Sequence, residues 1–325
     1  MSAAEAIGVD LGGTKLLVGV VDAQRRVLYE SREAATGRTE EELLEALERE
    51  LKEARAARPA VIAAGLGVPC TIDRERGVAI QAVNLPISDV PLRDLMTERL
   101  GIPVFLDNDA NVAAIAEHRF GAARGARNAL MLTVGTGVGG GIIIEGQPYR
   151  GSIGAGAEIG HLVIDFDGVP CQGNCPSRGC LESMASGTAL AREGLAAAER
   201  EPGSALGRLV AEGAELTGKS VTDAANAGDQ VAIDTLALIG MRLGAALAGL
   251  ANVFNPDVIV IGGGVTAGAG ELLLEPARKE VRCRALPPMN ETRVVAAELG
   301  QESGMIGAAA MAMADMGIAT EAAEA

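Results

Sequence analysis

Two glycine-rich turns, each set between short apolar runs, govern what this chain can fold into. The first is Asp10-Leu-Gly-Gly-Thr-Lys15, entered from residues 7–9 and left through 16–21. The second is Thr133-Val-Gly-Thr-Gly-Val-Gly-Gly-Gly141, which ends the apolar run 129–134 and leads into 142–144. Each reads as strand, turn, strand, because the flanking runs are too short for helices. A dinucleotide-binding βαβ unit would place a helix directly after the glycines, and neither turn does so; no P-loop signature is present either. A unit that recurs about 120 residues later points to an internally duplicated α/β fold rather than one doubly wound sheet.

The rest of the chain fits that plan. Residues 27–33 read as a third strand, and 39–57 as a helix opened by Thr39 with Glu42 three residues on, a capping-box spacing. Strand 61–68, helix 89–100 and strand 104–106 follow, the last ending at Asp107-Asn108-Asp109. Beyond a cysteine-rich loop come helices near 187–198, 204–212, 221–227 and 230–254, then a strand over 257–261 that ends at Gly262, Gly263 and Gly264. The small-residue helix 305–313 is expected to return to the first domain. The expected division is a smaller domain of residues 1–112 plus 306–325 and a larger one of 113–305.

Composition narrows the functional classes. Aromatic residues are 2% of the chain, so the core must be built from Ala, Val, Leu and Ile. A net charge of −15 lacks the basic footprint that nucleic acid demands. No signal peptide is visible at the N-terminus, and the apolar stretch 243–254 reads as a core helix, so no membrane is expected and the location is cytoplasmic. In that compartment three cysteines within ten residues suggest metal rather than disulfide.

Residue chemistry then supplies candidate sites. Gly12 and Gly13 let backbone N–H groups approach phosphate oxygens, with Thr14 adding a hydroxyl, Lys15 a charge, and Asp10 a carboxylate placed to hold Mg²⁺ through water. Thr133, Gly135, Thr136 and Gly137 offer similar equipment. Either loop alone also reads as a plain hairpin turn; two at matched positions favour phosphate. The triplet Asp107-Asn108-Asp109 sits at a strand end before a helix, where one carboxylate is either a general base or part of an N-cap. His161, Cys171, Cys175 and Cys180 supply one imidazole and three thiolates, a set suited to tetrahedral structural zinc. Cys70 and Cys283 read as buried thiols, and His118 as a solvated side chain.

Taken together, Asp10–Lys15, residues 106–111, Thr133–Gly141, Glu158-Ile-Gly-His161, the segment 171–182 and Asn255-Pro-Asp-Val-Ile-Val-Ile-Gly-Gly-Gly264 resemble the ROK family. That family includes bacterial glucokinases, other hexose and N-acetylhexosamine kinases, and sugar-responsive repressors. The resemblance implies the actin-like, ribonuclease H-like duplicated fold: two α/β domains with ATP and sugar in a central cleft. It implies Asp109 as general base, Asn108, Glu158, His161 and Glu182 as sugar contacts, and Gly262–Gly264 at the adenosine. It implies ATP-dependent phosphorylation of a hexose at the 6-hydroxyl, glucose ahead of N-acetylhexosamines, mannose or fructose, in a homodimer or homotetramer. Polyphosphate is a further donor used in the family. A repressor of this family would carry a DNA-binding segment before the first strand, where only about six residues precede Ile7. The first cysteine spacing, Cys171-x₃-Cys175, is two residues longer than the family pattern.

Overall fold

The computed structural model describes residues 4–82 and 85–318 and divides them into two compact units. One holds 4–126, 141–157 and 301–318; the other holds 127–140 and 158–300. In chain order the elements begin with strands β1 (Glu5–Leu11), β2 (Lys15–Asp22) and β3 (Val27–Ala34), then helix α1 (Glu40–Ala57). Strands β4 (Ala63–Val68), β5 (Cys70–Asp73), β6 (Val78–Ala82) and β7 (Ser88–Val90) come next. Helix α2 (Leu92–Leu100), strand β8 (Val104–Asn108) and helix α3 (Asp109–Phe120) follow. Then come β9 (Ala129–Val134), β10 (Val138–Ile144) and β11 (Gln147–Pro148). A helical stretch follows: α4 (Leu181–Ala185), α5 (Gly187–Arg200), α6 (Ala205–Ala211), α7 (Gly218–Asn226) and α8 (Gln230–Phe254). The chain ends with β12 (Val258–Gly262), α9 (Gly264–Ala269), α10 (Glu271–Arg284), β13 (Arg293–Ala296) and α11 (Ser303–Asp315).

The two main sheets repeat one strand order, β3-β2-β1-β4-β8 and β11-β10-β9-β12-β13. In the first, the β1–β2–β3 meander is antiparallel while β1, β4 and β8 run parallel. In the second, β9, β12 and β13 run parallel in the corresponding places. The duplication inferred from the glycine turns is therefore present strand for strand.

Local rules explain several elements. Thr39 accepts the Glu42 N–H and the Glu42 carboxylate accepts the Thr39 N–H at 2.7 Å, closing the capping box of α1. In the first unit α11 lies so close to the sheet that a Cβ on Gly8 would sit 2.0 Å from the Met305 carbonyl, and one on Gly65 1.9 Å from that of Ala308. Its run of Ala, Gly and Met is what permits that approach. Helix α8 is long and apolar enough to cross a membrane by composition. Within its unit, however, Gly240 and Gly244 pack against the α10 backbone at Leu273 and Ala277, as in a core helix.

The helix expected over 89–100 begins only at Leu92, after strand β7. Pro91 is the reason: it disfavours helical backbone in the residue before it and lacks the N–H that a helix interior requires. The small antiparallel sheet β5-β6-β7 and strand β13 carry no periodic signal strong enough to be read in advance.

Candidate active site

In the first unit, Asp10 ends β1 and the turn closes on a Gly12 N–H to Lys15 carbonyl bond of 2.8 Å. The first loop is thus a tight hairpin, with Gly12 and Gly13 half-buried and Thr14 exposed. Lys15 Nζ lies 3.3 Å from Asp10 Oδ2. Burial nevertheless outweighs Lys15 and raises the Asp10 carboxyl above its usual value of 3.8. Gly304, at the start of α11, was missed by sequence reasoning. A Cβ there would meet the Asp10 carboxylate at 2.6 Å, so only glycine leaves that side chain its place.

A raised carboxyl costs the folded state its charge. The loss sets in as pH rises from the unfolded value near 3.8 and is complete above the folded one. Asp10→Asn is therefore expected to raise the unfolding midpoint at pH 7, by roughly 2–4 °C per kcal/mol of burial cost removed. The gain should vanish below about pH 4, where the carboxyl is protonated in both states. Calorimetry across that range checks it, and a variant less stable than wild type at pH 7 would refute it.

At the same C-terminal end of that sheet, two strands across from β1, Asn108 is the N-cap of α3: its side-chain oxygen accepts the N–H groups of Ala110 (2.9 Å) and Asn111 (3.4 Å). Its amide nitrogen reaches the Cys70 carbonyl at 3.5 Å. Asp109 is the first helical residue, half-buried at the helix N-terminus, where a carboxylate is favoured. Burial, with Asp109's charge added, pushes the Cys70 thiol up to about 12. Asp107 is buried outright.

In the second unit the glycine loop 133–141 folds on the start of α5. Gly135 donates to Gly137 at 2.9 Å and accepts from Gly187 at 2.7 Å, and the Thr188 hydroxyl donates to the Thr136 carbonyl at 2.9 Å. Glu182, on α4, accepts the Val138 N–H at 2.9 Å. A Cβ on Gly137 would meet that same Glu182 oxygen at 2.2 Å. The loop and the carboxylate are thus one assembly. Gly263, with φ of +90° and no space for a Cβ beside the Val134 carbonyl, carries β12 into α9.

Glu158 sits at the N-terminal edge of a short 3₁₀ turn, Ile159–His161. Burial raises its carboxyl, the His161 charge opposes this, and the Glu182 charge adds to it, so the three side chains share one electrostatic neighbourhood. His161, Cys171, Cys175 and Cys180 converge with all donor atoms within 4.8 Å of one another. Cys171 Sγ is 3.5 Å from His161 Nδ1, and Cys175 Sγ is 3.9 Å from Cys180 Sγ. Ligands about 2.3 Å from a tetrahedral zinc lie about 3.8 Å apart, so the donor set fits that ion. Burial, then bonding with Cys180 and Cys175, pushes the Cys171 thiol up to about 12, a cost that a divalent cation reverses. The long first spacing is absorbed by the turn 171–175 and by Gly173 at φ of +58°.

Two expectations fail. Cys283 is exposed rather than buried, because it lies on the outer face of α10. His118 is half-buried, its Nε2 2.9 Å from the Ala126 carbonyl, because the chain after α3 folds back over it.

The model of the ROK family matches residues 6–315. A glucokinase of Streptomyces coelicolor is 38% identical over 314 residues, 94% of this chain and 96% of that one. A xylose repressor of Caldicellulosiruptor bescii is 30% identical over 95% of this chain and 78% of its own length. The crystal structure of a ROK family glucokinase from Streptomyces griseus, in complex with glucose and AMPPNP, is 38% identical with a TM-score of 0.85, covering 96% of this chain and all of that one. The repeated sheet order is accordingly that of the actin-like sugar-kinase fold. Matched over residues 6–315 by the family's model and sharing its folded architecture, this chain belongs to the ROK family.

Proposed function

We propose that the protein is an ATP-dependent glucokinase that transfers the γ-phosphoryl group of ATP to the 6-hydroxyl of glucose. The observation that carries this is Asp109: a half-buried carboxylate at a helix N-terminus, in a fold whose two sheets each end in a glycine hairpin. The likeness to a glucokinase crystallised with glucose and AMPPNP supports it over other hexoses.

In this reading Asp109 takes the proton of the 6-hydroxyl as its oxygen bonds to the γ-phosphorus. The bond from that phosphorus to the bridging oxygen breaks, and ADP leaves with the electron pair. Gly12, Gly13, Thr14 and Lys15, and likewise Thr133, Gly135, Thr136 and Gly137, would hold phosphate. Gly262–Gly264 present bare backbone to the adenosine. Asn108, Glu158, His161 and Glu182 bind sugar hydroxyls, and a sugar lacking them leaves carboxylates unpaired. Asp10 would hold Mg²⁺ through water; its buried oxygen donor suits that hard ion, which neutralises phosphate charge when bound with ATP. Zinc on His161, Cys171, Cys175 and Cys180 would act as a clamp, with Nδ1 facing the thiols and Nε2 left for sugar. The proposed assembly is a homodimer or homotetramer. The free thiols suit the reducing cytoplasm.

An ADP-release assay over a panel of hexoses and N-acetylhexosamines tests the reading, with glucose expected to give the highest kcat/KM. A sugar-sensing regulator would bind glucose without releasing ADP. A second expectation follows from the Glu182–Val138 contact. Gly137→Ala displaces the Glu182 carboxylate, so the KM for glucose should rise about tenfold although the substitution lies in a phosphate loop. An unchanged glucose KM would separate Glu182 from sugar binding.

A further inference from the structure

Asp107 has no role in the mechanism above, yet it is a heavily engaged buried carboxylate of the first unit. It is 1% exposed at the end of β8. One oxygen accepts the Asn108 N–H at 2.9 Å and the Asn111 side-chain amide at 3.0 Å. The other accepts Arg150 Nε at 2.6 Å and faces Arg74 Nε at 3.9 Å. Arg74 in turn pairs with Asp315 at the end of α11. Two cations and two anions thus alternate as Arg150, Asp107, Arg74 and Asp315.

A helix start needs one cap, and Asn108 already supplies it to α3. The bonds of Asp107 go elsewhere, to residues on either side of Asp109, so they set the rotation of the helix's first turn. Arg150 brings in a second segment. Its carbonyl accepts the Gly156 N–H at 2.8 Å, folding residues 150–156 into a closed loop. That loop is pinned again where Arg74 N–H donates to the Ile153 carbonyl at 3.1 Å, and a Cβ on Gly154 would collide with Arg74. Two residues beyond Gly156 along the chain stands Glu158.

We propose that Asp107 is a positioning residue, which orients Asn108 and Asp109 for phosphoryl transfer and, through Arg150, keys them to the loop 150–157. The inference rests on the kinase reading. Buried ionic groups often serve orientation rather than stability, since well-packed neutral replacements are frequently as stable. Breaking the pair from one side strands a buried charge, so single variants such as Asp107→Ala will be hard to fold.

The test is therefore the charge-balanced double variant Asp107→Asn with Arg150→Met, in which the amide oxygen introduced at position 107 can still accept from Asn108 and Asn111. It is expected to unfold within a few degrees of wild type, to keep its KM for ATP, and to lose kcat by about 10–100-fold, the effect of a small misplacement of a reacting group. Arg150→Lys, which keeps the charge but not the planar fork, should recover part of that loss. A merely structural role would lower the unfolding midpoint and leave kcat of the folded fraction alone. A folded double variant with kcat within about threefold of wild type would overturn the inference. If the wild type turns over no sugar, the kinase reading fails and the inference with it; an active wild type beside an equally active double variant sinks the inference alone.

Discussion

Replacing Asp109 with Ala is expected to lower kcat by about 10²–10⁴-fold while ATP and glucose still bind, the range that a positioned general base contributes. The structure makes this a clean experiment. Asp109 occupies the first helical position, whereas the cap of α3 is the neighbouring Asn108, which accepts the Ala110 and Asn111 N–H groups. Alanine is the best helix former, and the Ala110 N–H that Asp109 accepts at 2.9 Å is also accepted by Asn108, so α3 should persist and the fold with it. The loss should fall on kcat and not on the binding of either substrate, because the base acts on a proton that moves only as the phosphoryl group transfers. Single-turnover kinetics with calorimetric binding of glucose and of a non-hydrolysable ATP analogue separate the two. More than a few per cent of wild-type turnover in the folded variant would remove Asp109 from the role.

Removal of zinc is expected to have the second largest effect. One zinc per chain should be found in freshly purified protein, and either chelation or Cys175→Ser should lower the unfolding midpoint and raise the glucose KM together. Coupling of the two follows from the chain path. Cys180 is buried and stands immediately before α4, whose second residue is Glu182, while His161 closes the turn that begins beside Glu158. The segment between them is irregular, held by isolated bridges at Val163–Cys180 and Pro170–Arg178. Structural zinc contributes roughly 10–16 kcal/mol of binding free energy in small domains. Supporting interactions around metal ligands commonly change function about 10–100-fold. Cys283→Ser is the control: that thiol is exposed on α10 and should alter neither property. A metal-free preparation with wild-type glucose KM would refute the proposal.

The glycine hairpins were legible because they rest on local chemistry, whereas Asp109 was singled out by the resemblance to the ROK family. A glycine turn between apolar runs, a carboxylate at a strand end and a capping box each express themselves within a few residues. So do the cysteine cluster and the core helix Gln230–Phe254, whose bounds match the sequence reading. Legibility failed where partners come from afar. Gly304 is close to Asp10 only because α11 crosses the first sheet, and Arg150 meets Asp107 across 43 residues of chain. Cys283 and Cys70 look alike in sequence, yet one lies on an outer helix face and the other in the core.

The resemblance to the ROK family singled out Asp109; by itself the sequence determined the duplicated α/β plan, the two phosphate-type loops and the zinc-type donor set. These depend on residue type and short spacing, which backbone sterics and ligand chemistry restrict to few outcomes. Only the tertiary structure decided that burial outweighs Lys15 at Asp10 and that Glu182 is bonded to the second glycine loop. It alone decided, too, that the buried Asp107 is the hub of an ionic chain. Those properties arise from desolvation and from contacts between segments distant in sequence, and neither is encoded in any one stretch of residues.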